Sequence, residues 1–179
     1  AEHVKWDKET VEAFEKAKIA LSSTVVLHTP DKNLQHYLVV DTSKLATGAV
    51  LFAKENEKKY VAGIFSRKRS DAENKNVTPS CVAELAGIGA ALKHFSIIIA
   101  DLALPLIILT DSKSAVAAFN KFKELGYPTT NMRLSAFINT TYGMNFNLVY
   151  VKNSDPDIKC VDFLSRLVPK ATKECTNCK

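Results

Sequence analysis

The chain has 179 residues, 46% hydrophobic and 24% charged, with a formal net charge of +5. This allows one substantial core, or one domain plus an added segment, excludes disorder along the whole chain, and suits a polyanionic partner even though Lys and Arg are scattered. Four cysteines, at 81, 160, 175 and 178, fit reduced intracellular usage rather than a disulfide scaffold, and the apolar runs Phe95 to Ala100 and Leu102 to Leu109 are too short to span a bilayer.

The first predicted element is a helix from Asp7 to Leu21, with Asp7 as N-cap and Val11, Phe14, Ala17 and Leu21 along one packing face. Three runs of strand character follow, Gln35 to Asp41, Gly48 to Ala53 and Lys59 to Ser66. The polar connections Thr42 to Thr47 and Lys54 to Lys58 separate them, as in an antiparallel meander. Thr78 as N-cap and Pro79 at the first helical position then open a helix carrying Cys81, Leu85, Ile88, Leu92 and Phe95 at helical spacing. A buried strand ends at Thr110, and helices are expected over Ser112 to Phe122 and Asn131 to Thr141. The strand Asn145 to Lys152, a helix Lys159 to Val168 and a polar tail from Lys170 to Lys179 complete a β-β-β-α-β-α-α-β-α order.

Four acids stand out. Asp111 lies at the tip of an unbroken apolar strand, where open α/β sheets place their chemistry. Asp41 ends a strand, Glu84 sits inside an apolar helix beside Leu85 and Ile88, and Asp162 stands near a late helix start. Each has an ordinary explanation: a turn-forming aspartate at 41, a solvated helix glutamate at 84, a helix cap at 111 and a first-turn acid at 162. Gly87 and Gly89 weaken the ordinary reading of Glu84. Each glycine costs a helix interior roughly 1 kcal/mol, so the pair points to close approach to a sheet. Together the acids suggest bound divalent metal and phosphate chemistry, because like charges brought close need neutralising.

Six ordered motifs resemble the ribonuclease H domain of reverse transcriptases, specifically those of gypsy-type long-terminal-repeat retrotransposons and their retroviral relatives. Trp6, Ala13-Phe14-Glu15, Leu21 and Pro30-Asp31 resemble the segment joining polymerase to nuclease. Val40-Asp41-Thr42-Ser43 with Gly48-Ala49-Val50-Leu51 is similar to the family's first hairpin. Phe65-Ser66-Arg67-Lys68 with Ala72-Glu73 is similar to its third strand and the loop beyond. Ala83-Glu84-Leu85-Ala86 with Ala90 and Leu92, Leu109-Thr110-Asp111-Ser112-Lys113, and Val161-Asp162-Phe163-Leu164-Ser165-Arg166 resemble the remaining acidic motifs.

The resemblance implies an α/β ribonuclease H-like fold, with a mixed five-stranded sheet of three antiparallel strands and then two more, flanked by helices. It implies a connection-like segment over 1–33, the nuclease domain over 34–169 and a tail over 170–179. It makes Asp41, Glu84, Asp111 and Asp162 the acids that hold two Mg²⁺ ions, or Mn²⁺ in their place, for hydrolysis of the RNA strand of RNA:DNA hybrids by water. The implied partners are the hybrid and the polymerase portion of the same polyprotein, with no membrane, in a cytoplasmic virus-like particle. Arg67, Lys68 and Arg69 read as a basic loop able to touch the hybrid backbone. Relatives usually carry a histidine before the last acid. Here Val149 to Asp157 has none, which leaves Lys152 as a candidate to help product phosphate leave. Cys175 and Cys178 form half a zinc-ligand pattern and are assigned no metal. The alternatives are a catalytically silent hybrid-binding or structural domain of the same fold, and a strand-transfer enzyme of the same wider fold.

Overall fold

The run of apolar and β-branched residues in Gln35–Thr42 forms β1, the central strand of a five-stranded sheet. The computed structural model describes residues 7–22, 27–29, 31–70, 73, 80–124 and 131–166. β2 (Ala46–Glu55) and β3 (Lys58–Lys68) extend the sheet on one side of β1 as antiparallel hairpins. β4 (Leu106–Thr110) and β5 (Phe146–Tyr150) extend it on the other side as parallel strands, giving the order β3-β2-β1-β4-β5. The expected mixed sheet, three antiparallel strands then two more, is the one found.

The hairpins run longer than their composition suggests. Only Ser43 to Leu45 separate the first pair, with the Ser43 hydroxyl accepting from the Leu45 and Ala46 N–H groups at 3.0 and 3.1 Å. The second pair turns on Asn56 and Glu57, both at positive φ (46° and 67°), the geometry whose twist matches paired strands. Arg67 and Lys68 therefore lie in β3 and not in a loop, because backbone pairing to Ala46 and Thr47 continues through them.

The helices are α1 (Lys8–Ser22), α2 (Ser80–His94), α3 (Ser96–Ala100), α4 (Lys113–Glu124), α5 (Met132–Thr141) and α6 (Pro156–Arg166). α3 has no counterpart in the sequence expectations; a turn at Phe95 separates it from α2. Capping follows side-chain chemistry. Asp7 accepts from the Thr10 N–H (2.8 Å), and Asn131 accepts from Arg133 and Leu134. The Thr78-Pro79 start and the Lys170 to Lys179 tail lie outside the described residues. α6 begins a turn earlier than expected. Asp155 accepts from the Asp157 N–H at 2.9 Å with Pro156 opening the helix, so Asp162 sits within α6 and not at its start.

Alternation along β1 divides the core. Leu38 and Val40 face α2, α4 and α5 with Ala49, Leu51, Ile108 and Leu148. Val39 faces α6 with Phe52, Ile158 and Val161. Both faces of the sheet are thus covered, while Val11 and Phe14 of the packing face expected on α1 stay 44% and 49% exposed; the Ala17 and Leu21 side chains of that face lie outside the described residues. No described helix is long and apolar enough to cross a membrane.

Glycine lets α6 lie directly on β2. A Cβ on Gly48 would stand 2.8 Å from the Val161 carbonyl oxygen and 2.9 Å from Leu164 Cβ. Neither atom can rotate away, so Gly48→Ala is expected to push α6 off the sheet and cost about 1–3 kcal/mol, read as a lower urea midpoint with unchanged slope. An unchanged midpoint would show that the helix yields freely.

Candidate metal centre

The parallel pairing of β1 with β4 delivers the first two acids. Their last paired residues are Val39 and Leu109, so Asp41 and Asp111 each stand two residues further along adjacent strands, at the C-terminal end where the chain leaves the sheet. Asp41 is within β1 and only 8% exposed. The Asx turn weighed for it is made instead by Ser43. Asp111 is likewise relieved of capping, since Ser112 Oγ accepts from the Ala115 N–H at 3.2 Å.

Glu84 comes from α2, which lies against β1 and has eight buried positions, Glu84 among them at 8% exposure. The close approach to the sheet expected of Gly87 and Gly89 is made by Gly87, whereas Gly89 faces helix α5 instead. A Cβ on Gly87 would run into the Thr42 hydroxyl and come within 3.1 Å of Thr47, and one on Gly89 would lie 3.2 Å from the Phe137 ring of α5. That fit brings Glu84 over the strand ends. Ligand oxygens of Asp41, Glu84 and Asp111 all lie within 4.8 Å of one another.

The electrostatic cost is visible in the carboxyl groups themselves. Burial, then the negative charges of Asp41 and Asp111, push Glu84 up to about 8 against hydrogen bonds from Thr42. Asp41 is also raised, chiefly by burial, with Asp111 and Asp162 adding repulsion and a Ser165 hydrogen bond opposing them. Glu84 Oε2 is buried and has no hydrogen-bond partner among the described residues. Three clustered carboxylates, one with an orphaned oxygen, form the all-oxygen donor set that hard divalent cations take. The residues therefore fit a hard divalent cation.

Asp162 is not part of this 4.8 Å group. Its Oδ1 accepts from Arg166 Nε at 2.6 Å, one turn along α6, while its charge still reaches Asp41. Of the basic candidates, Arg67 is committed to Glu73 (2.8 Å), whereas Lys68 and Lys152 are exposed. Lys113, which the sequence reading did not single out as a site residue, holds its ammonium 4.9 Å from the Tyr150 ring centre, two residues past Asp111. Ser165 was missed as well. It is fully buried, and its hydroxyl donates to Asp41 Oδ2 at 2.7 Å. A polar residue on the same stripe as Ile158 and Val161 was the available signal.

A sequence profile for the RNase H-like domain found in reverse transcriptase matches residues 6–108. The Tf2-3 and Tf2-4 transposon polyproteins of Schizosaccharomyces pombe are each 31% identical to the chain over 166 residues. Those residues are 92% of this chain and 12% of each polyprotein, so the chain spans a small part of the curated relatives it matches. Among solved structures, the foamy viral protease-reverse transcriptase in complex with RNA/DNA hybrid superposes with a TM-score of 0.56 at 18% identity, covering 97% of this chain and 22% of that one. The native prototype foamy virus enzyme gives 0.56 at 15% identity, covering 84% and 19%. At such identities the superpositions speak to the fold alone.

Proposed function

Since the chain belongs to the RNase H-like domains of retrotransposon reverse transcriptases, we propose that it hydrolyses the RNA strand of RNA:DNA hybrids using divalent metal. The observation that carries this is the approach of Asp41, Glu84 and Asp111 to within 4.8 Å at the C-terminal end of the parallel strands. Divalent cations held by these acids would supply positive charge for the phosphate and lower the pKa of an attacking water. Asp41, in the middle of the sheet, would hold both ions, with Glu84 and Asp111 completing one site and Asp162 contributing to the other. Lys68 and Lys152, both exposed, would meet backbone phosphates. Arg67 contributes less to that grip than its sequence position suggests, because Glu73 already holds it. The hybrid would be selected by groove width and 2'-hydroxyl contacts rather than by base reading. The polymerase portion of the same polyprotein would supply the rest of the grip.

One observation favours a second reading, a silent hybrid-binding domain. Asp162 is paired with Arg166 instead of standing with the other three acids. Cleavage of an end-labelled RNA strand annealed to DNA, with Mg²⁺, Mn²⁺ or chelator, separates the two. Metal-dependent cutting of the hybrid, with single-stranded RNA and duplex DNA left intact, is the expected result. A folded chain that binds hybrid without cutting it in either metal would favour the silent domain.

A further inference from the structure

We infer that Ser165 is a positioning residue of the metal centre, its buried hydroxyl fixing the Asp41 carboxylate and tying it to the helix that carries Asp162. The inference rests on the reading of Asp41, Glu84 and Asp111 as cation ligands. Ser165 is 0% exposed, and its Oγ lies 2.7 Å from Asp41 Oδ2 and 2.9 Å from the Asp162 carbonyl oxygen. A hydroxyl has one proton to give. A helical serine commonly returns it to a carbonyl one turn back, which would make Ser165 a filler of α6 and nothing more. Here the carboxylate is the nearer acceptor and it is charged, so it takes the proton, and charge-assisted bonds are roughly twice as strong as neutral ones.

The surroundings fix that hydroxyl in turn. Ser43 Oγ donates to the Ser165 carbonyl at 2.7 Å, joining the β1–β2 turn to α6. Arg69 donates to the Ser43 carbonyl at 3.3 Å and to the Glu73 carbonyl at 2.9 Å. Gly48 leaves no gap beneath, since a Cβ there would lie 3.0 Å from the Ser165 N. Asp41 is thus held in one orientation by a chain of bonds that begins outside the acidic cluster, which is how groups behind a metal ligand usually set its geometry.

The test is Mn²⁺ affinity of the 179-residue chain, measured by calorimetry for wild type, Ser165→Ala, Ser165→Cys and, as control, Asp41→Asn. Alanine removes the donor. Cysteine fills the space but donates weakly. Both are expected to weaken Mn²⁺ binding about 10- to 100-fold while melting within a few degrees of wild type. Affinity restored by cysteine would mean that shape alone matters, and unchanged affinity in the alanine variant would mean that the bond is idle; either overturns the role of Ser165 and leaves the metal centre standing. If alanine prevents folding, the cysteine variant carries the comparison. A wild type that binds no Mn²⁺, or an Asp41→Asn chain that binds it equally well, overturns the metal centre and this inference with it.

Discussion

Replacing Asp111 with asparagine is expected to lower hybrid cleavage on the order of a thousandfold or more while leaving the fold intact. The side chain keeps its size, and the helix that follows is capped by Ser112, so no structural bond of α4 is lost. What disappears is one of three carboxyl groups sharing a 4.8 Å cluster. A neutral amide is a poor ligand for a hard cation, so the remaining acids would bind metal weakly. The same change relieves Glu84 and Asp41, since Asp111 raises the pKa of both. Asp111→Asn should therefore melt no lower than wild type in chelator. Parallel rate measurements on wild type and variant, prepared identically, check the first expectation, and thermal melts check the second. A folded variant that cuts hybrid at the wild-type rate would remove Asp111 from the site.

Without metal, the chain should lose stability as pH rises. Glu84 is pushed up to about 8 when folded, chiefly by burial, whereas an unfolded glutamate titrates near 4.5. Between those values the folded state keeps a proton that the unfolded chain has released, so stability falls with rising pH across that window. Below it both states are protonated and the penalty is absent. For Glu84 the loss by pH 8 is on the order of 2 to 4 kcal/mol. Asp41, raised for the same first reason, acts in the same direction. The lowered groups Asp7 and Glu73 act oppositely, losing their contribution only as pH falls into the acid range, outside this window. Melting temperatures in chelator should thus decline from pH 5.5 to 8, and Glu84→Gln should flatten the decline and raise the value at pH 8. Added Mg²⁺ should rescue wild type most at the alkaline end, because a cation bound only by the folded state stabilises it. A wild-type profile that is flat in chelator would mean that the cluster is better solvated than its burial indicates.

Both expectations turn on the carboxylates, and these were legible to different degrees. Glu84 was marked by its own helix: an acid beside Leu85 and Ile88, followed by Gly87 and Gly89, has no comfortable place except against a sheet. Asp111 was marked by the strand that ends on it. Asp162 was named, yet its helix was started too late, although Asp155 before Pro156 carries the N-cap and first-turn signal in plain sequence. The length of the hairpins was also within reach, since Asn56 suits a positive φ and narrows the turn to two residues. The exposure of α1 was not. Its spacing is that of a packing helix, yet with both sheet faces covered by α2, α4, α5 and α6, Val11 and Phe14 of that helix stay exposed in the described fold.

By itself the sequence determined the kinds of element and, α3 apart, their order, and it singled out four acids as candidates, because periodicity, caps and glycine placement are local properties that a chain carries wherever it folds. Tertiary structure decided which of those acids meet. The two-residue offset that brings Asp41 level with Asp111 is set by the register of β1 on β4, and strand register depends on how whole faces bury rather than on residues near the tip. The bond from Ser165 to Asp41 spans 124 positions of chain, and the ion pair of Arg166 with Asp162 competes with the cluster only once α6 is laid across β2. The Ser165 bond has no local signature, since its energy appears only when the two partners are buried side by side, whereas Asp162 and Arg166 stand at i,i+4 spacing and meet on the surface of one helix.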